Sequence, residues 1–290
     1  MTSKDNAEVD IAEVYELQQI AKRHPDRLPE FIRALDSVVH RYTRLGQPAL
    51  IEDLLVDSLS YVEQALSWDH PSVLNVRNNL AATYESAGKL PEAIGLYEQN
   101  LAVAKDQGID DSLLLAYRSN LASAYKNAGK LNRARALFDD ILNDSVRLLG
   151  PDHPTTLTIR NNLGGVYEAA GQSEQAISIY EQTLMDRERV LGSDHPDTLT
   201  SRNNLAYALS DQGNLAAAIA LYEQVLTDSE RVLGAEHPST LIARNNLAYA
   251  LSDQGNLAAA IALYEQVLAD RERILGVDHP DTLNSRSSLA

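Results

Sequence analysis

The residues of this chain that could do chemistry stand in ladders rather than clusters. His70, His153, His195, His237 and His279 each precede a proline, the last four at steps of 42 residues. Imidazoles bind a metal when several of them meet near 2 Å from one ion, and ladder members one structural unit apart cannot do so. They are expected instead to cap helices in the linkers. His24 and His40 belong to no ladder.

A second ladder is Arg77, Arg118, Arg160, Arg202, Arg244 and Arg286, each three residues ahead of a leucine and within an apolar stripe. A charge in that place must snorkel to water or be paired. One residue after an aromatic in each following segment stands an acid, Glu98, Asp139, Glu181, Glu223 and Glu265. The co-occurrence predicts Arg–carboxylate pairing within each unit, with Arg286 reaching back to the acid of the unit before it. The first unit has Leu35 and Val56 in these two places, so it lacks both features.

Catalytic signatures are missing from these patterns. The Ala-Gly-Lys-Leu stretches at 87–90 and 128–131 lack the upstream glycine and following Ser/Thr of a phosphate loop, and they end a helix rather than follow a strand. Carboxylates recur with the repeat, as solvated helix faces do. No Ser/His/Asp set stands outside the periodicity, so the reading is of no enzyme, no metal and no cofactor.

The elements that position these ladders follow from a repeat. Residues 195–236 and 237–278 are nearly identical, and the glycines at 46, 88, 129, 171, 213 and 255 mark a 42-residue period with one step of 41. A fixed period of this size predicts a solenoid. Each unit reads as two helices. In the fifth, the first spans about 196–212, opening at a proline and closing at Gly213, and the second spans about 215–233, with Leu215, Ala218, Ile219, Tyr222, Val225 and Leu226 on one face. Glu236 or His237 is the expected N-cap of the next unit.

Neither helix can bury its stripe alone, so neighbours must stack. The expected organisation is a disordered segment 1–6, then one all-α array over 7–290. It comprises an opening helix 7–22 carrying Val9, Ile11, Val14, Leu17 and Ile20, a divergent unit 26–66, units 69–107, 110–148, 153–191, 195–233 and 237–275, and a terminal half unit 279–290. An unfinished last unit exposes an apolar edge, which predicts an end-to-end homo-oligomer.

Composition narrows the setting. The chain has 290 residues, 44% of them hydrophobic, and no Cys, which predicts a folded protein of a reducing compartment. Its first ten residues lack the apolar core of a signal peptide, and no apolar run approaches the roughly 18 residues of a membrane span. The expected location is cytoplasmic. A formal charge of −16 offers no basic surface for phosphate, so nucleic acid is excluded and charged partners should be basic or neutral.

The motif Asn-Asn-Leu-Ala-x-x-Leu/Tyr-x-x-x-Gly, continuing to Ala-x-x-x-Tyr-Glu-Gln and then Leu-Gly-x-Asp-His-Pro, resembles tetratricopeptide repeats. It is most similar to the 42-residue subtype of kinesin light chains and of long bacterial arrays joined to nucleotide-switch domains. The resemblance is close over 69–290 and limited to helix spacing and Gly46 over 26–66. It implies a right-handed α-solenoid of helix-turn-helix repeats, six full units plus a half unit at each end, whose first helices line a concave groove that holds a peptide or partner segment.

The family's groove positions fall on Asp36 and His40, Asn78 and Ala82, Ser119 and Ser123, Asn161 and Gly165, Asn203 and Tyr207, and Asn245 and Tyr249. A Lys/Asn clamp for a C-terminal carboxylate, known in chaperone-binding members, finds no Lys here. The asparagines at 78, 161, 203 and 245 have two uses open to them, holding a peptide backbone by a carboxamide that both donates and accepts, or bonding a neighbouring helix. Units one to four place Tyr42, Tyr84, Tyr125 and Tyr167 inward, whereas units five and six have Leu209 and Leu251 there and carry Tyr207 and Tyr249 two residues earlier. Two residues turn a side chain about 200° around a helix, from the packing face towards the groove. The expected binding surface is therefore Asn203, Tyr207, Asn245 and Tyr249 flanked by Ser210, Asp211, Ser252 and Asp253. The favoured function is a non-catalytic interaction scaffold for a protein or peptide. The alternative is a signal-sensing array working with a separate nucleotide-switch or effector protein.

Overall fold

The computed structural model describes residues 3–108, 110–277 and 279–289. Among these it contains fourteen α-helices and no strand, arranged as sequential antiparallel pairs. The helices are α1 (Ser3–Arg23), α2 (Leu28–Arg44), α3 (Glu52–Ala65), α4 (Pro71–Ser86), α5 (Leu90–Gln107), α6 (Asp111–Asn127) and α7 (Leu131–Leu149). They continue as α8 (Pro154–Ala169), α9 (Ser173–Leu191), α10 (Pro196–Asp211), α11 (Leu215–Val232), α12 (Pro238–Asp253), α13 (Leu257–Leu275) and α14 (Pro280–Ser288). Two compact bodies are defined, Met1–Ala134 and Arg135–Ala290.

In the first body, α1 packs on α2, and α3 on α4. Val14 and Ala21 of α1 join Phe31, Leu35, Tyr42, Leu54, Leu55 and Val62 in one core. Ile20, expected on the buried stripe, is 39% exposed, and Gln18 takes part instead, donating Nε2 to the Asp57 carbonyl. The helix begins at Ser3, and residues 1 and 2 lie outside the described residues.

In the second body, α8 packs on α9, α10 on both α9 and α11, and α12 on both α11 and α13. Ala218, Ile219, Tyr222, Ala248, Leu251 and Tyr264 form one cluster, and Ala176, Tyr180, Leu184, Leu205 and Ala208 another. Small residues at the crossing points let the helices approach closely. The tightest case is Gly164, where an added Cβ would lie 2.7 Å from Cε1 of Tyr180.

Each cycle starts and stops by local chemistry. His70, His153, His195, His237 and His279 are N-caps in extended conformation, and each Nδ1 accepts the backbone N–H two residues on, at 3.1–3.2 Å. Proline at the first helical position forfeits no bond, because the first N–H groups of a helix have no partner within it. At α6, where the period shortens, Asp110 Oδ1 does the same work for Ser112 N–H at 2.8 Å. At the other end of the first helix, Gly213 takes φ +86°, the left-handed conformation that closes α10, and the Asn214 N–H bonds the Leu209 carbonyl at 2.8 Å.

Replacing a capping side chain by alanine costs about 1 kcal/mol. His195→Ala should lower the unfolding free energy measured in urea by that amount, and His195→Asn, which keeps an acceptor at the cap, should recover most of it.

Candidate binding face

The buried guanidiniums set the spacing between helices. Arg202 of α10 is 3% exposed at its side chain and is held by two carboxylates, Nη1 donating to Asp228 Oδ2 at 2.9 Å and Nη2 to Glu188 Oε1 at 2.8 Å. Arg244 of α12 repeats this with Asp270 and Glu230, both at 2.8 Å. One acid belongs to the second helix of the same unit and the other to the second helix of the preceding unit. A single side chain thus ties three helices. Asp228 also accepts from Arg231, which grips Asp194 in the linker ahead of α10, so linker, first helix and second helix share one ionic chain.

The acids predicted for Arg77, Arg160, Arg202, Arg244 and Arg286 are not the ones used. Glu181, Glu223 and Glu265 are exposed, Asp139 is half-buried and pushed above the usual carboxylate range by burial, and Glu98 accepts from Tyr125 Oη at 2.6 Å. The observed within-unit partner lies five residues further along, as Asp186, Asp228 or Asp270. Side chains on a helix lean towards its N-terminus, so the long Arg202 side chain carries its charge away from the Gly213 turn. On the antiparallel helix it therefore passes the level of Glu223 and meets Asp228. Arg286 does reach back, though to Glu272 at 2.7 Å.

A third arginine position was not found by pattern. Arg187 is 2% exposed and donates only to neutral groups, the Asp197 carbonyl at 2.7 Å, Ser201 Oγ at 2.8 Å and Thr158 Oγ1 at 2.9 Å. Desolvation lowers its pKa. Arg271 repeats the contacts with the Asp281 carbonyl and Ser285 Oγ, ten and fourteen residues ahead. Between them stands Ser229, with Ala243 fourteen residues on. The signal was present in the comparison of the two near-identical units, which differ at Ser201/Ala243 and Ser229/Arg271.

The face opposite these contacts is formed by the first helices. On α10, Thr200, Asn203, Tyr207, Ser210 and Asp211 fall on one stripe, and on α12, Ile242, Asn245, Tyr249, Ser252 and Asp253 do so. All are half-buried or exposed. Tyr207 is 47% exposed and Tyr249 55%, whereas Leu251, at the position they vacated, is 9% exposed. The aromatic has left the packing face, as its two-residue displacement requires. Ile242, 49% exposed and two turns before Tyr249, extends the same apolar strip and was not among the expected residues.

The two tyrosines are electrostatic neighbours. The Tyr207 hydroxyl is pushed up by burial first, then by Glu168, Asp211 and Tyr249. Beneath them, Tyr222 is raised by burial, Tyr207 and Glu168, and Tyr180 is raised by burial and by Glu168, to which it donates at 3.0 Å. Asp211 accepts from Ser173 Oγ at 2.9 Å. The surface is aromatic and acidic, and no Lys or Arg lies on either stripe.

The asparagines divide between the two uses open to them. Asn161 is 7% exposed, and its Oδ1 accepts from Ser201 Oγ at 3.2 Å, so it bonds the neighbouring helix. Asn78 and Asn203 are half-buried, and each Oδ1 accepts from the asparagine at the second position of the pair in the next unit, Asn120 at 2.9 Å and Asn246 at 3.1 Å. These bonds leave the two N–H donors of each carboxamide outside the ladder. Asn245 is also half-buried. Asn78 lies in the first body, separate from the tyrosine face.

Antiparallel helix pairs repeating every 42 residues, with first helices side by side on one face, define a helical repeat protein built to present surface. Tetratricopeptide repeat models match residues 39–106 and 112–185, and 198–239 and 240–281. The chain belongs to the tetratricopeptide repeat family, and its repeats are of the kinesin-light-chain type. It is similar to a Podosopora anserina protein assigned as a kinesin light chain with nearly identical TPR-like repeats, at 32% identity over 70% of this chain and 97% of that one, with TM-scores of 0.57 for a singly substituted variant and 0.55 for the other structure. BtubC (BKLC) from P. vanneervenii shares the fold at 19% identity, covering 97% of this chain and 95% of its own, with a TM-score of 0.58. No curated protein matches. No helix among the described residues is long and apolar enough to cross a membrane.

The buried ladder predicts an asymmetry. Glu188 and Asp228 are 42% and 20% exposed at their side chains, so losing Arg202 lets them rehydrate, whereas losing both acids strands a buried cation. Glu188→Gln with Asp228→Asn should cost about 3–5 kcal/mol, and Arg202→Met distinctly less, in urea melts. Ser201→Ala should cost about 1–3 kcal/mol, because it leaves an Arg187 donor unmet in the interior. The tyrosines predict an alkaline limit. Unfolded tyrosine ionises near pH 10 while Tyr180 is held protonated in the fold, so its contribution is complete below about pH 10 and is lost above it. The fall in urea midpoint between neutral pH and pH values above 10 should be smaller in Tyr180→Phe.

Proposed function

We propose that the chain is a non-catalytic scaffold that grips a partner polypeptide on the α10–α12 face, with Tyr207 and Tyr249 as anchors. Tetratricopeptide repeat proteins generally serve protein–protein interaction and are typically non-catalytic. The observation that carries the finer reading is the pair of tyrosines, half exposed on adjacent first helices in two nearly identical units. Tyrosine supplies large contact area at little conformational cost and keeps a polar end for the partner's backbone. Ile242 and the N–H donors of Asn203 and Asn245 extend the contact along the stripe.

The charge of the face selects the partner. Glu168, Asp211 and Asp253 surround the rings without a cation on either stripe, which favours a segment carrying Lys or Arg. Such a side chain can lie over an aromatic face and meet a carboxylate at once.

A displayed peptide library selected on the intact chain tests this directly. Enriched sequences should carry Lys or Arg, and Tyr207→Ala with Tyr249→Ala should weaken them at least tenfold while the circular dichroism spectrum and melting temperature are retained. Enriched peptides that bind the double variant as tightly as the original would place the surface elsewhere.

A further inference from the structure

The earlier glutamate of the arginine ladder is missing at two rungs, before Arg118, where Ala104 stands fourteen residues back, and before Arg160. Arg77, Arg202, Arg244 and Arg286 each give Nη2 to a glutamate fourteen residues earlier, Glu63, Glu188, Glu230 and Glu272, at 2.6–2.8 Å. Fourteen residues before Arg160 stands Val146. Among the described residues Arg160 pairs with one carboxylate, Asp186, through Nη1 at 2.6 Å. Its side chain is 18% exposed, against 3% for Arg202 and 7% for Arg244.

An open depression of about 420 Å³ lies beside Arg160, lined also by Leu142, one turn before Val146 on α7, and by Leu163, Ile179, Gln182 and Met185. Met185 is 56% exposed. We propose that this depression is a binding site for one glutamate side chain of a partner polypeptide, which supplies from outside the carboxylate that Val146 removed from the ladder. The methylenes of a glutamate fit between Leu142, Leu163 and Met185, and its carboxylate completes the guanidinium fork.

Charge decides between a carboxylate and a phosphate. Asp186 occupies the other edge of Arg160, Glu181 stands on the rim and Asp152 lies within electrostatic reach. A dianion would meet three acids there. A single negative charge is what Glu188 and Glu230 bring to the equivalent places in the next two units. This site shares no residue with the tyrosine face, and it stands or falls independently of it.

Two measurements on the full chain test the assignment. Val146 is itself 39% exposed, so a polar residue is tolerated there. Val146→Glu should raise the melting temperature by about 2 °C over Val146→Gln, and the difference should vanish when Arg160→Met is added. No gain over Val146→Gln would show that the fork is not open on that side. In side-chain NMR, the blocked peptide Ac-Ala-Glu-Ala-NH2 should shift the Arg160 Nε–H signal saturably with a Kd on the order of 1 mM. Ac-Ala-Gln-Ala-NH2 should not do so, and Val146→Glu should abolish the shift. A shift of equal size with the glutamine peptide, no saturation, or persistence in Val146→Glu would each overturn the proposal, and a larger shift with inorganic phosphate would assign the site to a different anion.

Discussion

A helix with one apolar stripe cannot leave it in water, and a pair of such helices still has stripe to spare. This constraint governs the molecule. α10 must have α9 on one side and α11 on the other, and α12 must have α11 and α13. Packing of this kind leaves little tolerance in axial position, because a shift of one residue turns each side chain by about 100°. The His-Pro caps and the left-handed glycines hold each helix to its start and stop, so that the stripes arrive in register.

Charge is used within that frame to choose neighbours. Burying a guanidinium is costly, and the cost is relieved only where two acids, or a carbonyl and two hydroxyls, come to it from different helices. Arg202 and Arg244 meet the first requirement, and Arg187 the second. The pairing of Arg187 with Ser201, and of Arg271 with Ser285, while Ser229 and Ala243 hold the equivalent sequence positions, distinguishes units that are otherwise almost the same. Hydrophobic stacking alone would accept those units in either order. Packing leaves two places unclaimed, the exposed stripe with Tyr207 and Tyr249 and the side of Arg160 where Val146 stands in place of a glutamate.

Much of this was legible in the residues. The period, the helix limits of the fifth unit to within a residue or so, the capping histidines and the exposure of Tyr207 and Tyr249 all follow from local rules, because each depends on spacing along one helix. The arginine partners did not follow. Choosing between Glu223 and Asp228 requires knowing which way a long side chain leans and how two antiparallel helices are offset. Asn161 looked equivalent to Asn203 and is not, because Ser201 reaches it through a contact forty residues away.

Sequence by itself therefore determined the kind of element, its ends in the regular units, the repeat and the face on which the repeated side chains lie, since a helix of known phase fixes all of these locally. Tertiary structure alone decided which charges meet, which asparagines are consumed by neighbours, and where an arginine is left with one acid instead of two. Those outcomes depend on distances between helices that no single period encodes. An ångström or two there separates a hydrogen bond from an open site.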